Sequence, residues 1–247
     1  MKYPPQMRHG INTFFGQVVV INLISRTDRR TEMSEQLERI GLHFGAPALH
    51  LYAASKPAVA AGFSSLGARG CFMSHLAVLR HARDQGASSL LILEDDLNFC
   101  ADFKVKFDTL AQTLAQHDWG MWYGCYDLDT ALAPASAPLT QVDSLRPIGT
   151  SAFLAINGHL IAALVAYLEA MLQRPSGDPL GGPMHIDGAY CWFRRSHPEV
   201  STWLAHPPLG VQRSSRTDVH ALRWFEQWPW SAGLTALLRR WRNRLRT

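Results

Sequence analysis

The stretch that most restricts the fold is QVVVINL, residues 17–23, where four β-branched side chains follow one another without a polar break. A strand that is apolar at consecutive positions, rather than at alternate ones, has both faces covered, as in a sheet buried between helix layers. A helical pattern comes next. Met33, Leu37 and Ile40 recur at i, i+4 and i+7, with Asp28 placed to cap the helix and Gly41 to end it. Phe72, Leu76 and Leu79 mark a second helix over 71–85, closed by Gly86, and SSLLIL at 88–93 reads as the next strand. Further along, a helix is predicted over Phe103 to Leu114, strands over Met121 to Tyr123, Ile148 to Ile156 and Thr202 to Ala205, and a buried helix over Leu160 to Leu172. The segments 131–138 and 175–183, rich in Ala, Pro, Ser and Gly, read as loops. Strands alternating with helices predict an α/β domain with a mostly parallel central sheet. A chain of 247 residues suffices for one such domain, expected at 14–220, with 221–247 as a separate tail.

Composition removes several alternatives. With 47% hydrophobic and 18% charged residues the chain has the means to build a packed core. The start, MKYPPQMRHG, lacks the apolar stretch of a secretory signal, and the longest apolar run, Leu160 to Leu168, is too short to span a bilayer, so a cytoplasmic protein is expected. Cys71, Cys100, Cys125 and Cys191 show no CxxC pair, and neither a disulfide framework nor a zinc site is suggested. Five arginines fall in residues 231–247. Removing them from the 24 Lys and Arg leaves 19 against 20 acids, so the body is nearly neutral and no nucleic-acid partner is expected. No GxGxxG, Walker loop, HExxH or GxSxG occurs, and GFSSLG at 62–67 has the wrong spacing for a nucleophile elbow.

The run LLIL ends in three adjacent acids, Glu94, Asp95 and Asp96. In open α/β sheets ligands gather at the carboxyl ends of strands, where this triplet is expected. Three neighbouring carboxylates repel unless a cation or several donors compensate them. Hard oxygen ligands suit Mn²⁺ or Mg²⁺, which complete their shell with water and substrate phosphate. A solvated loop or a helix cap is the competing explanation for the triplet alone.

The surrounding motifs add to this. VVVINLISRTDRR, GARGCFMSHLAVLRHA and LLILEDDLNF, in that order, resemble glycosyltransferase family 25, the lipooligosaccharide galactosyltransferase group related to collagen galactosyltransferases. The likeness is close over about 17–103 and looser to about 219, where IGTSAFLAI, HIDGAYCWF and HPPLGVQRSSRTDV look like its later landmarks. It implies a GT-A-like (Rossmann-like) fold, an inverting reaction, a UDP-sugar donor with galactose favoured, and a glycan or glycolipid acceptor of the cell envelope. It also implies a metal held by the acidic motif, with Asp96 the first choice as ligand, alongside Glu94 or Asp95. The triplet departs from the Asp-x-Asp of many GT-A enzymes, so which oxygens touch the ion stays open.

Other residues carry two readings each. Arg26 and Arg29 lie where a donor nucleotide would rest, and either meets phosphate or ribose or forms a structural ion pair. Asn22, polar at the end of an apolar strand, serves the site or a turn. Ser74 and His75 match the family's Ser-His pair, against a packing role. Asp187 is the candidate general base for the acceptor hydroxyl, against a helix N-cap. His206 is a candidate third metal ligand, and Gln212 and Asp218 are candidates for donor or acceptor contact. A rival class remains: a catalytically idle relative that binds sugar or nucleotide, or a membrane-docked assembly protein.

In the tail, Leu234, Leu237, Leu238, Trp241 and Leu245 recur at helical spacing, with the five arginines on the remaining arc. Trp224, Trp228, Trp230 and Trp241 fall in or just before it. An amphipathic helix docked on the anionic inner face of a membrane is expected, with packing on the domain or on a second subunit as the alternative.

Overall fold

The protein's structure, a computed structural model, describes residues 10–130, 132 and 137–213. The expected tail at 221–247 and Asp218 lie outside the described residues. In chain order the elements are α1 (Ile11–Phe14), β1 (Gln17–Asn22), α2 (Thr27–Arg39), β2 (Leu49–Ala53), α3 (Leu66–Asp84), β3 (Ser89–Glu94), β4 (Leu97–Phe99), α4 (Phe103–Leu114), β5 (Met121–Asp127), β6 (Leu139–Val142), β7 (Gly149–Asn157), α5 (Gly158–Leu172), α6 (Ile186–Ser196), β8 (Thr202–Ala205) and β9 (Gly210–Gln212).

A seven-stranded sheet runs in the order β2-β1-β3-β7-β5-β8-β6, and β4 pairs with β9 in a small second sheet. Successive side chains of a strand point to opposite faces, and the central strands are apolar on both. Val19, Ile21, Leu90, Ile92, Leu154 and Ile156 join one core with α3, α5 and α6. Val18, Val20, Leu91, Leu93, Phe153 and Ala155 join the other with α1, α2 and α4. The second core is aromatic: Phe15 stacks on Trp122 and Phe103 on Phe107, with ring centroids 6.0 and 5.4 Å apart.

The α/β class with a large central sheet is as expected, but the sheet is mixed rather than mostly parallel. β2-β1, β1-β3 and β5-β8 are parallel pairs, whereas β3-β7, β5-β7 and β6-β8 are antiparallel. Parallel neighbours need a long crossover, usually a helix. Between β5 and β7 the described chain contains only β6 and loops, so β7 enters reversed.

Local chemistry shifted some boundaries. Ser65 caps α3 by accepting from the Ala68 N–H at 3.0 Å, so this helix begins five residues before Cys71. Asp28 lies inside the first turn of α2, and Arg26 holds the cap position. No helix among the described residues is long and apolar enough to cross a membrane.

Candidate active site

The acids stand where the strand pattern put them. β3 carries Glu94 at its carboxyl end, and the turn at Asp95 and Asp96 leads into β4. Beside them a cleft of about 360 Å³ opens between the end of β1, the loop after β2 and the face of α3 that carries Gly70, Ser74 and His75. Arg26, Arg29, Lys56, Ser74, His75 and Glu94 all line it. Helix α3 comes this close because Gly70 has no side chain: a Cβ there would stand 2.7 Å from the Ser55 carbonyl oxygen.

Each carboxylate has its own protein partners. Asp95 accepts from Asn22 Nδ2 at 2.7 Å and from Arg29 Nη1 at 2.9 Å. Asp96 faces the same Arg29 nitrogen at 3.1 Å and accepts from Gln212 Nε2 at 3.2 Å. Glu94 accepts from the Ser151 hydroxyl at 2.8 Å, lies 3.5 Å from His75 Nε2, and shares the Gln212 amide at 3.5 Å. Donors therefore compensate much of the repulsion that suggested a cation. They do so unevenly. Burial works to raise Glu94, but His75, Ser151 and Arg29 outweigh it and hold that carboxyl below its usual value. Burial, reinforced by Glu94 and Asp95, pushes Asp96 up to about 6 against the opposing pull of Arg29 and Gln212.

The residual strain on Asp96 bears on a metal. Glu94 and Asp96 present carboxylate oxygens that converge on one Gln212 amide nitrogen. Two converging hard oxygens, one of them reluctant to ionise without more positive charge, fit a divalent ion of the Mn²⁺ or Mg²⁺ kind. His206 does not join them: among the described residues Glu94, Asp96 and His206 do not gather within 4.8 Å. The sheet order explains why. His206 follows β8, three strand spacings from β3, or roughly 14 Å. The chain recrosses after it, and β9 brings Gln212 to the acids instead.

Other expected residues divide between the cleft and its supports. Arg26 and Arg29 line the cleft, Arg26 pairing with Asp28 at 2.9 Å. Asn22 gives its amide to Asp95 and to the Arg26 carbonyl at 3.2 Å, which makes it a clip between β1 and the acidic turn. Ser74 donates to the Gly70 carbonyl at 2.6 Å and accepts from the Ser55 N–H at 2.8 Å, tying α3 to the loop after β2. Asp187 lies in the first turn of α6, whose cap position is His185. Its Oδ2 accepts from the Thr150 N–H at 3.2 Å, while its Oδ1 is buried without a hydrogen-bond partner. Burial, then the charge of Glu94, raises its carboxyl above the usual range. Thr150 has φ +59°, a left-handed conformation that β-branched residues rarely take.

Ser151 and Lys56 were not expected from the sequence, and neither were three further contributors. Buried Arg213 donates to Asn98 Oδ1 at 2.7 Å and to the Leu97 carbonyl at 3.2 Å, reaches the Asp95 carbonyl, and pairs with Glu32 at 3.2 Å. It pins the turn that carries the acids. Tyr190 bonds through its hydroxyl to His75 Nδ1 at 2.9 Å. Cys71 lies with His75 and Glu94 in a group whose ligand atoms are all within 4.8 Å of one another. The i, i+4 spacing of Cys71 and His75 was the one readable signal for it.

Residues 52–131, spanning the cleft loop, α3 and the acids, match the family model described as glycosyltransferase family 25 (LPS biosynthesis protein). The chain's likeness is to family 25. Among its curated relatives, procollagen galactosyltransferase 1 of Danio rerio is 29% identical over 115 residues, covering 46% of this chain and 18% of that protein. Procollagen galactosyltransferase 1-B of Xenopus laevis is 26% identical over 211 residues, covering 78% of this chain and 33% of that protein. The family 25 likeness thus spans a third or less of these relatives' length. The fold is similar to that of a glycosyltransferase involved in the glycosylation of the major capsid of PBCV-1, with a TM-score of 0.50 at 12% identity, covering 81% of this chain and 93% of that one. That places the domain with GT-A-like folds.

Proposed function

We propose that the chain is an inverting, metal-dependent hexosyltransferase that moves galactose, or another hexose, from a UDP-sugar to a lipopolysaccharide, lipooligosaccharide or other cell-envelope glycan. One observation carries this reading: Glu94 and Asp96, inside the segment that matches family 25, converge beside a cleft lined by Arg26, Arg29 and Lys56. Cations along the cleft suit a diphosphate. Glu94 and Asp96 are the residues to hold Mn²⁺ or Mg²⁺, and Arg29 orients both Asp95 and Asp96. When bound, such an ion neutralises charge that develops on the departing nucleoside diphosphate.

The remaining chemistry belongs to the chain. The acceptor hydroxyl oxygen forms a bond to the anomeric carbon from the face opposite the diphosphate. The bond from that carbon to the phosphate oxygen breaks, and the nucleotide leaves with the electron pair. Asp187 takes the hydroxyl proton, because a carboxyl raised by burial is a better base than a solvated one.

A second reading has its own support. Arg29, Asn22, Ser151 and Gln212 compensate the acids without any ion, as an idle sugar or nucleotide binder would also allow. Purified protein incubated with a panel of nucleotide sugars separates the two. Hydrolysis of a UDP-hexose that needs Mn²⁺ or Mg²⁺, stops in EDTA and is lost in Asp96→Ala supports the transferase. Binding without turnover supports the idle relative, and turnover of only a non-UDP donor sinks the donor assignment.

A further inference from the structure

We propose that Cys71, His75 and Glu94 form a site for a borderline divalent ion of the zinc type, separate from the hard-cation site at Asp96 and sharing Glu94 with it. Cys71 and His75 stand one helical turn apart on α3, and Glu94 reaches them from the end of β3. The three ligand atoms lie within 4.8 Å of one another. A tetrahedral zinc with ligands at about 2.0–2.3 Å spaces them roughly 3.3–3.8 Å apart, so a contraction of at most about 1.5 Å closes the site.

A thiol and an imidazole are also ligand types that zinc takes and Mg²⁺ does not, and zinc accepts the carboxylate as well. The imidazole supplies the independent sign of a ligand. His75 is fully buried, and its Nε2, 3.5 Å from Glu94 Oε1, has no hydrogen-bond partner. A buried ring nitrogen left unsatisfied is costly, whereas its other nitrogen is already engaged by the Tyr190 hydroxyl at 2.9 Å. That arrangement is typical of a metal-bound histidine, whose outer nitrogen is oriented by a supporting partner. Glu94 has its own support in the Ser151 hydroxyl at 2.8 Å.

All three residues line the cleft, so the fourth position of a tetrahedral ion opens onto it. Coordination replaces the thiol proton, which leaves to solvent, with the metal. These contacts suit the ion whether or not the chain transfers sugar.

The test uses the full chain and Co²⁺ as a spectroscopic stand-in. Stoichiometric Co²⁺ should produce a thiolate-to-cobalt charge-transfer band that Zn²⁺ discharges. The band should vanish in Cys71→Ser and persist in Cys100→Ser, whose thiol lies on the other side of the sheet with the second core. Should Cys71→Ser fail to fold by circular dichroism, the wild type decides: Zn²⁺ must protect Cys71, and not Cys100, from alkylation mapped by mass spectrometry. Absence of a thiolate band in the wild type, a band that survives in folded Cys71→Ser, or unprotected Cys71 overturns the proposal.

Discussion

Replacing Asp96 with Asn should make the metal-free protein more stable at neutral pH while removing its ability to bind the hard cation. The wild-type carboxyl, 6% exposed, is lifted from an ordinary 3.8 to about 6 by burial and by Glu94 and Asp95. A carboxyl raised by folding stabilises the native state fully below the unfolded value, and that contribution is lost as pH rises through the folded value. At about 1.4 kcal/mol per pH unit, wild type should lose on the order of 3 kcal/mol between pH 4 and pH 7 that Asp96→Asn does not lose. Asn keeps the shape and can still accept from Gln212, while Arg29 retains Asp95 at 2.9 Å. Urea denaturation of both proteins in EDTA, at intervals from pH 4 to 8, measures the difference directly. Effects shared by the two chains cancel. Adding Mn²⁺ at pH 7.5 should then stabilise wild type by mass action and leave the variant unmoved. A stability difference that does not grow with pH, or a variant less stable than wild type at pH 7.5 in EDTA, would refute the account of Asp96 as a carboxylate held under strain for a cation.

Arg213→Met removes the guanidinium from three buried acceptors and leaves Glu32 unpaired. It should cost about 3–5 kcal/mol, read as a fall in melting temperature of roughly 6–20 °C; a fall within error would remove Arg213 from the support of the acidic turn. Asp187→Asn should lower kcat by about 10²–10⁴ with KM for the donor little changed, and near-normal kcat would exclude it as the base. A chain ending at Gln227 should keep activity on a water-soluble acceptor and lose flotation with anionic liposomes, each lost arginine weakening attachment by on the order of 1 kcal/mol. Undiminished flotation would reject membrane docking through the tail.

The strands that could be read from the chain alone were those buried on both faces. VVVI in β1 and LLIL in β3 announce themselves because both cores need apolar side chains at successive positions. The acids were legible for the converse reason: charge directly after such a run has to face a ligand or a partner. β2, mostly exposed along LHLYA, and the three-residue strands β4 and β9 lack that signal. Strand direction was not legible either, since the reversal of β7 goes with a connection from β5 that holds no helix among the described residues, rather than with the apolar pattern of β7 itself.

Sequence by itself determined the α/β class, the place of the acidic triplet at a strand end, and the residue types gathered near it. Tertiary structure alone decided which partner each side chain of the site has. Arg213 meets the Asp95 carbonyl across 118 residues, Gln212 meets Asp96 across 116, and Tyr190 meets His75 across 115. The same spacing of strands that brings Gln212 in on β9 leaves His206 out. Local patterning reports the face a side chain occupies, because backbone geometry imposes that within a few residues. The partner it meets is set by sheet order and by where the chain recrosses, and these depend on how all the elements pack at once.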